Sequence, residues 1–381
     1  MNSKKTRIAV SINLDWPTEK HHEIFAGIES YAEENTDWVL IWDHFPDIVL
    51  SEKPDYYDGI VGRLDDAAIK KITELKLPAV NVWHNQQKKF PVNVVPDMVT
   101  MGEVAADHLI KRGYKRLLHI GYGEQISTDD FHKGMMSIAS PYAIPVEREE
   151  ILLLVDENAD EWPAFQKNFY RWISEWEFPL GIATSDCALA LKCVSKLNEH
   201  SIKIPEQVGL ITAGNDIVYC EKFRPAVTSI RGDYYKVGYK AAHTLDMKMN
   251  GQDVETHVCI PPLNIVPRES TDTYIVESDE VKTALRYIAG NYENVLQISD
   301  IVKYVDISRR TLEKKFLDEV GHSILTEINL LRINALKRQL RNTNKSLKQL
   351  SSDIGFSSDS HLIRVFKQYE GMTPDQYRKS L

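Results

Sequence analysis

Four polar side chains stand where predicted strands end or helices begin, a position from which they could bind the hydroxyl groups of a ligand. They are Asp186, Asn215, Asp216 and Asp233. Carboxylate and amide groups are planar hydrogen-bond partners, so they suit the vicinal hydroxyls of a sugar. Each of the four could instead only cap a helix or fix a turn. The residues therefore favour a sugar-type site and leave the structural role open.

A further polar and aromatic group, Asn13, Asp15 and Trp16, follows the first predicted strand. An aromatic ring supplies a flat surface for the C–H face of a sugar, and its polar neighbours supply hydrogen bonds. We expect these residues to contribute to the same site. No Walker loop, glycine-rich dinucleotide motif, HExxH motif or nucleophile elbow is present. The sequence therefore predicts neither a cofactor nor an enzyme.

The elements around these residues alternate short apolar runs with helical patterns over the first ~270 residues, which is typical of parallel sheets covered on both faces. Two segments also resemble each other, beginning at Asp97 and at Asp233, with Gly, Ala-Ala and Leu at equal offsets. We expect two similar lobes with a ligand cleft between them, and Asp97 mainly as a helix cap. The strand candidates are residues 8–12, 38–42, 59–62, 79–83, 116–121, 181–185 and 208–214.

The charge of the chain is distributed unevenly. The net charge is −9, but residues 279–381 carry 17 basic and 13 acidic side chains, a net charge of +4. A basic tail next to an acidic body is expected when only the tail binds the phosphate groups of a nucleic acid. The four cysteines form no CxxC pair, so we expect reduced thiols and no metal site. No apolar run approaches the ~18 residues of a membrane span, and no signal peptide is recognised, which predicts a cytoplasmic protein without a membrane partner.

The tail contains a repeat. Residues 298–321 and 347–371 share apolar positions at offsets of 49 and 50, and each copy reads as helix, tight turn and capped second helix. This pattern predicts two helix-turn-helix motifs, which residues 324–340 would join as a long helix. A plain helical bundle is the alternative. The residues predicted to face DNA are Ser308, Arg309, Arg310, Thr311 and Lys314 in copy one, and Ser358, Asp359, Ser360, His361, Arg364 and Lys367 in copy two.

Within that set, the side-chain types suggest different tasks. Lys314 and Lys367 suit phosphate, whereas base edges are the expected targets of Arg309, Arg310, Ser360, His361 and Arg364. The two helix-turn-helix motifs of one chain can contact successive major-groove turns, which lie ~34 Å apart. Because the two copies offer different side chains, we expect an asymmetric DNA site.

The tail resembles the DNA-binding domain of the AraC family of bacterial transcription regulators. The body resembles the sugar-binding domain of LacI-type repressors, a periplasmic-binding-protein fold, in the segments GIATSDCALA, IPEQVGLITAGNDI and RPAVTSIRGDYYKVGYKAA. The residues that carry the AraC resemblance are Ile354, Gly355, Phe356, Ser358, Ser360, His361, Phe366, Lys367, Gly371, Pro374, Tyr377 and Arg378.

These resemblances imply a ligand-binding domain over 1–270, a linker over 271–280 and a double helix-turn-helix domain over 281–381. They imply a sugar-responsive regulator, an activator of genes for pentose catabolism with D-xylose as the first candidate effector. Its implied partners are double-stranded DNA, RNA polymerase and a second copy bound through the body. Phe131 stands where many LacI-type bodies have an Arg, so we expect an aromatic face there. The alternatives are another sugar, a repressor, a cleft enzyme acting on sugars, or an exported solute-binding protein.

Overall fold

The computed structural model describes residues 5–15, 18–84, 92–123, 125–151, 169, 171–343 and 345–379. These residues form two units, a body within residues 1–110 and 114–273 and a tail unit within residues 111–113 and 274–381. No helix in the described ranges is long and apolar enough to cross a membrane.

The body contains two six-stranded sheets, which confirms the predicted α/β architecture. The first sheet has the order β11-β5-β4-β3-β1-β2 and is parallel throughout. Its strands are β1 (Arg7–Ser11), β2 (Val39–Trp42), β3 (Gly59–Gly62), β4 (Ala79–Asn81), β5 (Asn93–Pro96) and β11 (His257–Ile260).

The second sheet has the order β12-β10-β9-β8-β6-β7 and is parallel except where β12 pairs with β10. All seven predicted strands occur, whereas β5, β7 and β10 to β12 were not predicted. The strands of this sheet are β6 (Leu117–Tyr122), β7 (Val146–Ile151), β8 (Leu180–Thr184), β9 (Val208–Ala213), β10 (Thr228–Arg231) and β12 (Asn264–Val266).

The chain passes between the two lobes three times, after β5, after β10 and after β11, because consecutive strands at those points belong to different sheets. Each lobe is therefore built from separate parts of the sequence. The helices of the body are α1 (Glu19–Asn35), α2 (Pro46–Glu52), α3 (Asp66–Leu75), α4 (Met98–Lys111), α5 (Ile126–Ala139), α6 (Cys187–Glu199), α7 (Ile217–Glu221) and α8 (Tyr234–Met249).

The repeated segments of the body form α4 and α8, and each packs closely against a second helix, α4 against α5 and α8 against α1. A Cβ atom on Gly238 would overlap the Ile24 carbonyl oxygen, and one on Gly102 would overlap the Phe131 carbonyl oxygen. Glycine is required at both positions because the two backbones touch. Asp97 and Asp233 cap the two helices, accepting hydrogen bonds from the backbone N–H groups three residues later at 3.0 and 3.1 Å.

The tail unit is helical and contains two helix-turn-helix pairs, α10 with α11 and α13 with α14. Asp306 and Gly355 occupy the two turns with positive φ, 58° and 79°. Two apolar cores support the pairs, one around Leu312 and Phe316 and the other around Leu362 and Phe366. The helices are α9 (Asp279–Asn291), α10 (Ile298–Val305), α11 (Arg309–Val320), α12 (Ile324–Asn342), α13 (Leu347–Asp353), α14 (Asp359–Glu370) and α15 (Pro374–Lys379).

Candidate ligand cleft and nucleic-acid interface

Three predicted site carboxylates of the second lobe cap helices at the carboxyl edge of its sheet. Asp186 Oδ1 accepts from Leu189 N at 2.9 Å, and Asp216 Oδ1 accepts from Val218 N at 3.1 Å. Asp233 makes the equivalent bond to Lys236 N. Each cap uses one carboxylate oxygen. The second oxygen of Asp216 is buried and has no hydrogen-bond partner among the residues that the structure describes, which is an expensive arrangement unless a ligand or water completes it.

Asn215 is held in one orientation by a network that the sequence did not suggest. Its Oδ1 accepts from Ser229 Oγ at 2.7 Å and from Arg268 Nη2 at 2.8 Å. The Arg268 side chain is only 8 % exposed and also pairs with Glu221 at 3.1 Å. With its oxygen occupied twice, Asn215 presents its NH₂ group as a donor. Arg268 follows β12 and was not among the predicted site residues.

The edges of the two lobes meet beside these residues. Glu23 of α1 lies 3.9 Å from Arg231 at the end of β10, measured between Oε1 and Nη2. Burial raises the pKa of the neighbouring Glu19, and the negative charge of Asp216 raises it further. Carboxylates of the first lobe therefore face a carboxylate of the second. This arrangement places the carboxyl ends of both sheets around one cleft, as the fold class predicts.

The first lobe supplies an aromatic side chain, Trp83, just after β4. Lys20 Nζ lies 4.7 Å from the Trp83 ring centroid and Arg63 Cζ lies 5.0 Å from it. The His21 ring meets its edge at 5.7 Å. Trp83 was visible in the sequence as the last residue of a predicted strand, but β4 ends at Asn81, so the ring stands at the strand end. Trp83 is therefore a half-buried aromatic side chain at the carboxyl edge of the first sheet, with two cationic side chains over its ring.

The segment after β1 forms a local turn that is tied to α1. Asn13 Oδ1 accepts a hydrogen bond from Asp15 N at 3.0 Å, which forms a local turn. The Asn13 carbonyl oxygen bonds His21 Nδ1 at 2.6 Å. Asp15 is exposed, and Trp16 lies outside the described residues. A ligand role for these three residues remains a prediction.

The expectation of an open aromatic face at Phe131 requires correction. The side chain is fully buried, and its ring stacks on His119 at 4.8 Å between centroids. Phe131 lies on the inner face of α5, three residues before Gly134, just as Ile24 precedes Gly27 in α1. Both residues place their carbonyl oxygens against the glycine of the partner helix. Phe131 therefore serves the helix pair, and its ring has no free side in this conformation.

His119 makes the stability of the body depend on pH. Burial, together with the smaller effects of the positive charges of His132 and Arg148, lowers the pKa of His119 to about 3. An unfolded histidine titrates near pH 6.5, so the unfolded state binds more protons below that pH. We expect His119 alone to cost about 2 kcal/mol of folding free energy between pH 8 and pH 5. His119→Phe should flatten the curve of unfolding free energy against pH by about that amount.

Denaturant unfolding at several pH values tests this expectation. At pH 8 the histidine is neutral in both the folded and the unfolded state. The difference in unfolding free energy between the parent and His119→Phe at that pH therefore measures the change in packing alone. A variant whose stability falls with acid as steeply as that of the parent would contradict the assignment.

The first recognition helix, α11, presents its predicted DNA-facing residues to solvent. Ser308, Arg309, Arg310, Thr311 and Lys314 are all exposed, whereas Leu312 and Phe316 on the opposite face are fully buried. Ser308 Oγ caps the helix by accepting from Thr311 N at 3.2 Å. Arg309 Nε donates to Glu313 Oε1 at 2.9 Å. Arg310 and Thr311 are therefore as accessible to base edges as Arg309.

The second recognition helix, α14, separates its polar residues into two groups. Ser360, Arg364 and Lys367 are exposed. Asp359 instead accepts a hydrogen bond from the buried Ser351 at 2.6 Å, which ties α14 to α13. His361 Nδ1 lies 3.0 Å from Ser357 Oγ. A DNA contact from Asp359 or His361 would thus add to an existing structural role.

Two family models match the chain. The periplasmic binding protein-like domain matches residues 106–271, and the helix-turn-helix domain matches residues 301–380. The first range covers most of the second lobe, and the second begins inside α10 and covers the rest of both helix-turn-helix pairs.

Curated relatives match the chain over its full length. The chain is 23 % identical to the xylose operon regulatory protein of Escherichia coli K12, across 99 % of this chain and 98 % of that protein. It is 24 % identical to the protein of the same name from Haemophilus influenzae, across 99 % of both. A solved structure of a xylose-binding transcription activator aligns with a TM-score of 0.65 at 21 % identity, covering 100 % of this chain and 99 % of that one. The fold and the order of the two domains are therefore shared.

Proposed function

We propose that this chain, a sugar-responsive DNA-binding transcription regulator with a periplasmic-binding-protein-like body and a C-terminal helix-turn-helix domain, binds D-xylose between the lobes of its body. The observation that carries the proposal is the full-length similarity to two xylose operon regulatory proteins, which extends through both domains. The regulator then activates genes for the uptake and breakdown of that sugar.

The chemistry of the cleft supports a neutral polyhydroxylated ligand. Asp186 and Asp216 supply acceptors, and Asn215 supplies an oriented donor. On the opposite lobe, the half-buried Trp83 is the aromatic side chain that we propose for the C–H face of a sugar. Closure of the lobes around such a ligand stabilises one of two arrangements of the body, which is how a small molecule can shift a regulator between states.

The partners follow from this role. The two recognition helices contact double-stranded DNA through the exposed residues of α11 and α14. We further propose that two copies associate through their bodies, so that sugar binding in the bodies repositions two tails on tandem DNA sites. As an activator, the DNA-bound protein would contact RNA polymerase.

The effector can be identified by thermal shift of the full chain against a panel of pentoses and hexoses. D-xylose is expected to raise the melting temperature, because a ligand that binds only the folded state stabilises it. Asp186→Asn is expected to weaken sugar binding about tenfold, since the side-chain oxygen can still cap α6 while the charged acceptor is lost. Isothermal titration calorimetry measures the loss.

Asp97→Asn is the matched control, because Asp97 caps α4 through the same type of bond. It should leave sugar affinity unchanged. If another sugar raised the melting temperature and D-xylose did not, D-xylose would be wrong as the effector, whereas the class of regulator would stand. If the two substitutions changed sugar affinity equally, the assignment of Asp186 to the sugar site would be wrong.

A further inference from the structure

One arginine of the tail unit is buried without a carboxylate partner. Arg332 of α12 is 5 % exposed. Its Nε donates to the Tyr292 carbonyl oxygen and its Nη2 to the Asn294 carbonyl oxygen, both at 2.8 Å. Among the residues that the structure describes, no acidic side chain pairs with it. Burial of a charged guanidinium group costs free energy, and two backbone carbonyl oxygens of one loop accept its hydrogen bonds. We therefore expect Arg332 to hold that loop in position.

The loop in question leads into copy one, and Arg332 lies beside the core of copy two. Tyr292 and Asn294 lie between α9 and α10, the first helix of the first helix-turn-helix pair. On α12, Ile328 packs in the core of copy one and Ile333 in the core of copy two. Arg332 therefore lies where the two cores meet along a continuous helix.

Copy two touches the same loop from its own turn. A Cβ atom on Gly355 would lie 2.7 Å from the Glu293 carbonyl oxygen, closer than real contacts allow. The next residue, Phe356, has its ring 5.5 Å from the Arg332 guanidinium. The His361 ring of α14 meets Phe356 edge-on at 5.7 Å. A chain of contacts thus runs from the copy-one loop through Arg332 and Phe356 to the second recognition helix.

We propose that this junction, made of residues 292–294, Arg332, Gly355 and Phe356, fixes the distance and rotation between the two recognition helices. Arg332 is a positioning residue and touches no DNA itself. Once one recognition helix has bound DNA, a rigid junction holds the other at a high effective concentration near its own half-site. This gain applies only to DNA in which the two half-sites have the spacing that the junction fixes. The junction therefore selects DNA sites by spacing as well as by sequence.

The inference rests on the proposed DNA-binding role of both helices, and selection from random DNA tests the two separately. The full chain is used to enrich a library with about 30 random base pairs, enough for two successive major-groove sites. The parent chain should recover two sub-motifs at one spacing. Arg332→Met should recover the same sub-motifs at several spacings, and it should bind the parent's site about tenfold more weakly.

Lys337→Met is the matched control, because Lys337 lies on the same helix and its ion pair with Glu370 stays within copy two. It should keep the single spacing. A probe that carries only the copy-one sub-motif separates positioning from damage. Arg332→Met should bind that probe within about twofold of the parent, whereas a merely destabilised domain loses both probes together.

Arg332→Lys provides a second variant if the methionine variant does not fold, since an ammonium group can still donate to a loop carbonyl. It should broaden the spacing less. A single spacing retained by folded Arg332 variants would overturn the inference and leave the DNA-binding role intact. A parent chain that recovers no motif would overturn the DNA-binding proposal instead.

Discussion

Replacing Arg364 by alanine is expected to weaken binding to the selected DNA site by 10- to 100-fold and to relax base preference at one position. Arg364 is exposed on α14. An arginine that bonds a base edge through two donors contributes about 1–3 kcal/mol of discrimination, a factor of about 5 to 150 that spans the expected loss. Fluorescence anisotropy with the parent site and its single-base variants measures both effects.

Lys367→Ala is the informative comparison, because Lys367 lies one turn further along the same helix, and its ammonium group suits phosphate. It should weaken binding to all sequences equally and lower the slope of log affinity against log salt by about one. If the two variants proved indistinguishable in base preference, the docking of α14 in the major groove would be wrong.

Replacing Gly238 by alanine is expected to have the largest effect on stability. The added methyl group would overlap the Ile24 carbonyl oxygen and crowd the backbone around it. A backbone atom cannot rotate away as a side chain can, so α1 and α8 must separate and lose packing over their whole length. Overpacking in cores costs about 1–3 kcal/mol, and a backbone clash between two long helices should reach the upper limit or exceed it.

Gly290→Ala provides the contrast, since a Cβ there meets no atom within 4 Å. Alanine in an open helical position should stabilise the tail unit by about 0.5–1 kcal/mol. Calorimetric unfolding of both variants tests the pair. A Gly238→Ala protein as stable as the parent would mean that the two helices are not in backbone contact.

The sequence predicted those elements whose pattern of apolar and capping residues lies within one short segment. Strands such as β1 and β9 were predicted because each is a continuous apolar run buried on both faces. Strand β7, with the sequence VEREEI, was missed because it forms the edge of its sheet and carries charged side chains. The helix-turn-helix pairs were predicted because their caps and apolar positions recur at fixed offsets.

The candidate site shows the same limit. Asn215 was proposed from its place after a strand, but its partner Arg268 lies 53 positions later. The pairings of β9 with β10 and of β10 with β12 bring the two together, and no local pattern reports those pairings. Arg332 and Asn294 of the junction are likewise 38 positions apart. Contacts of this kind depend on the tertiary fold, so single-sequence patterns do not reveal them.

The three passages between the lobes have a consequence for synthesis of the protein. Tyr31 of α1 donates a hydrogen bond to Asp246 of α8 at 2.9 Å, although 215 positions separate them. At a translation rate of about 5–20 residues per second, α1 waits roughly 10–40 s for its partner helix to leave the ribosome. Throughout that time the part of the α1 surface that packs against α8 has no native cover. The nascent chain is thus exposed to aggregation until the first lobe is completed, and only then does the DNA-reading tail emerge.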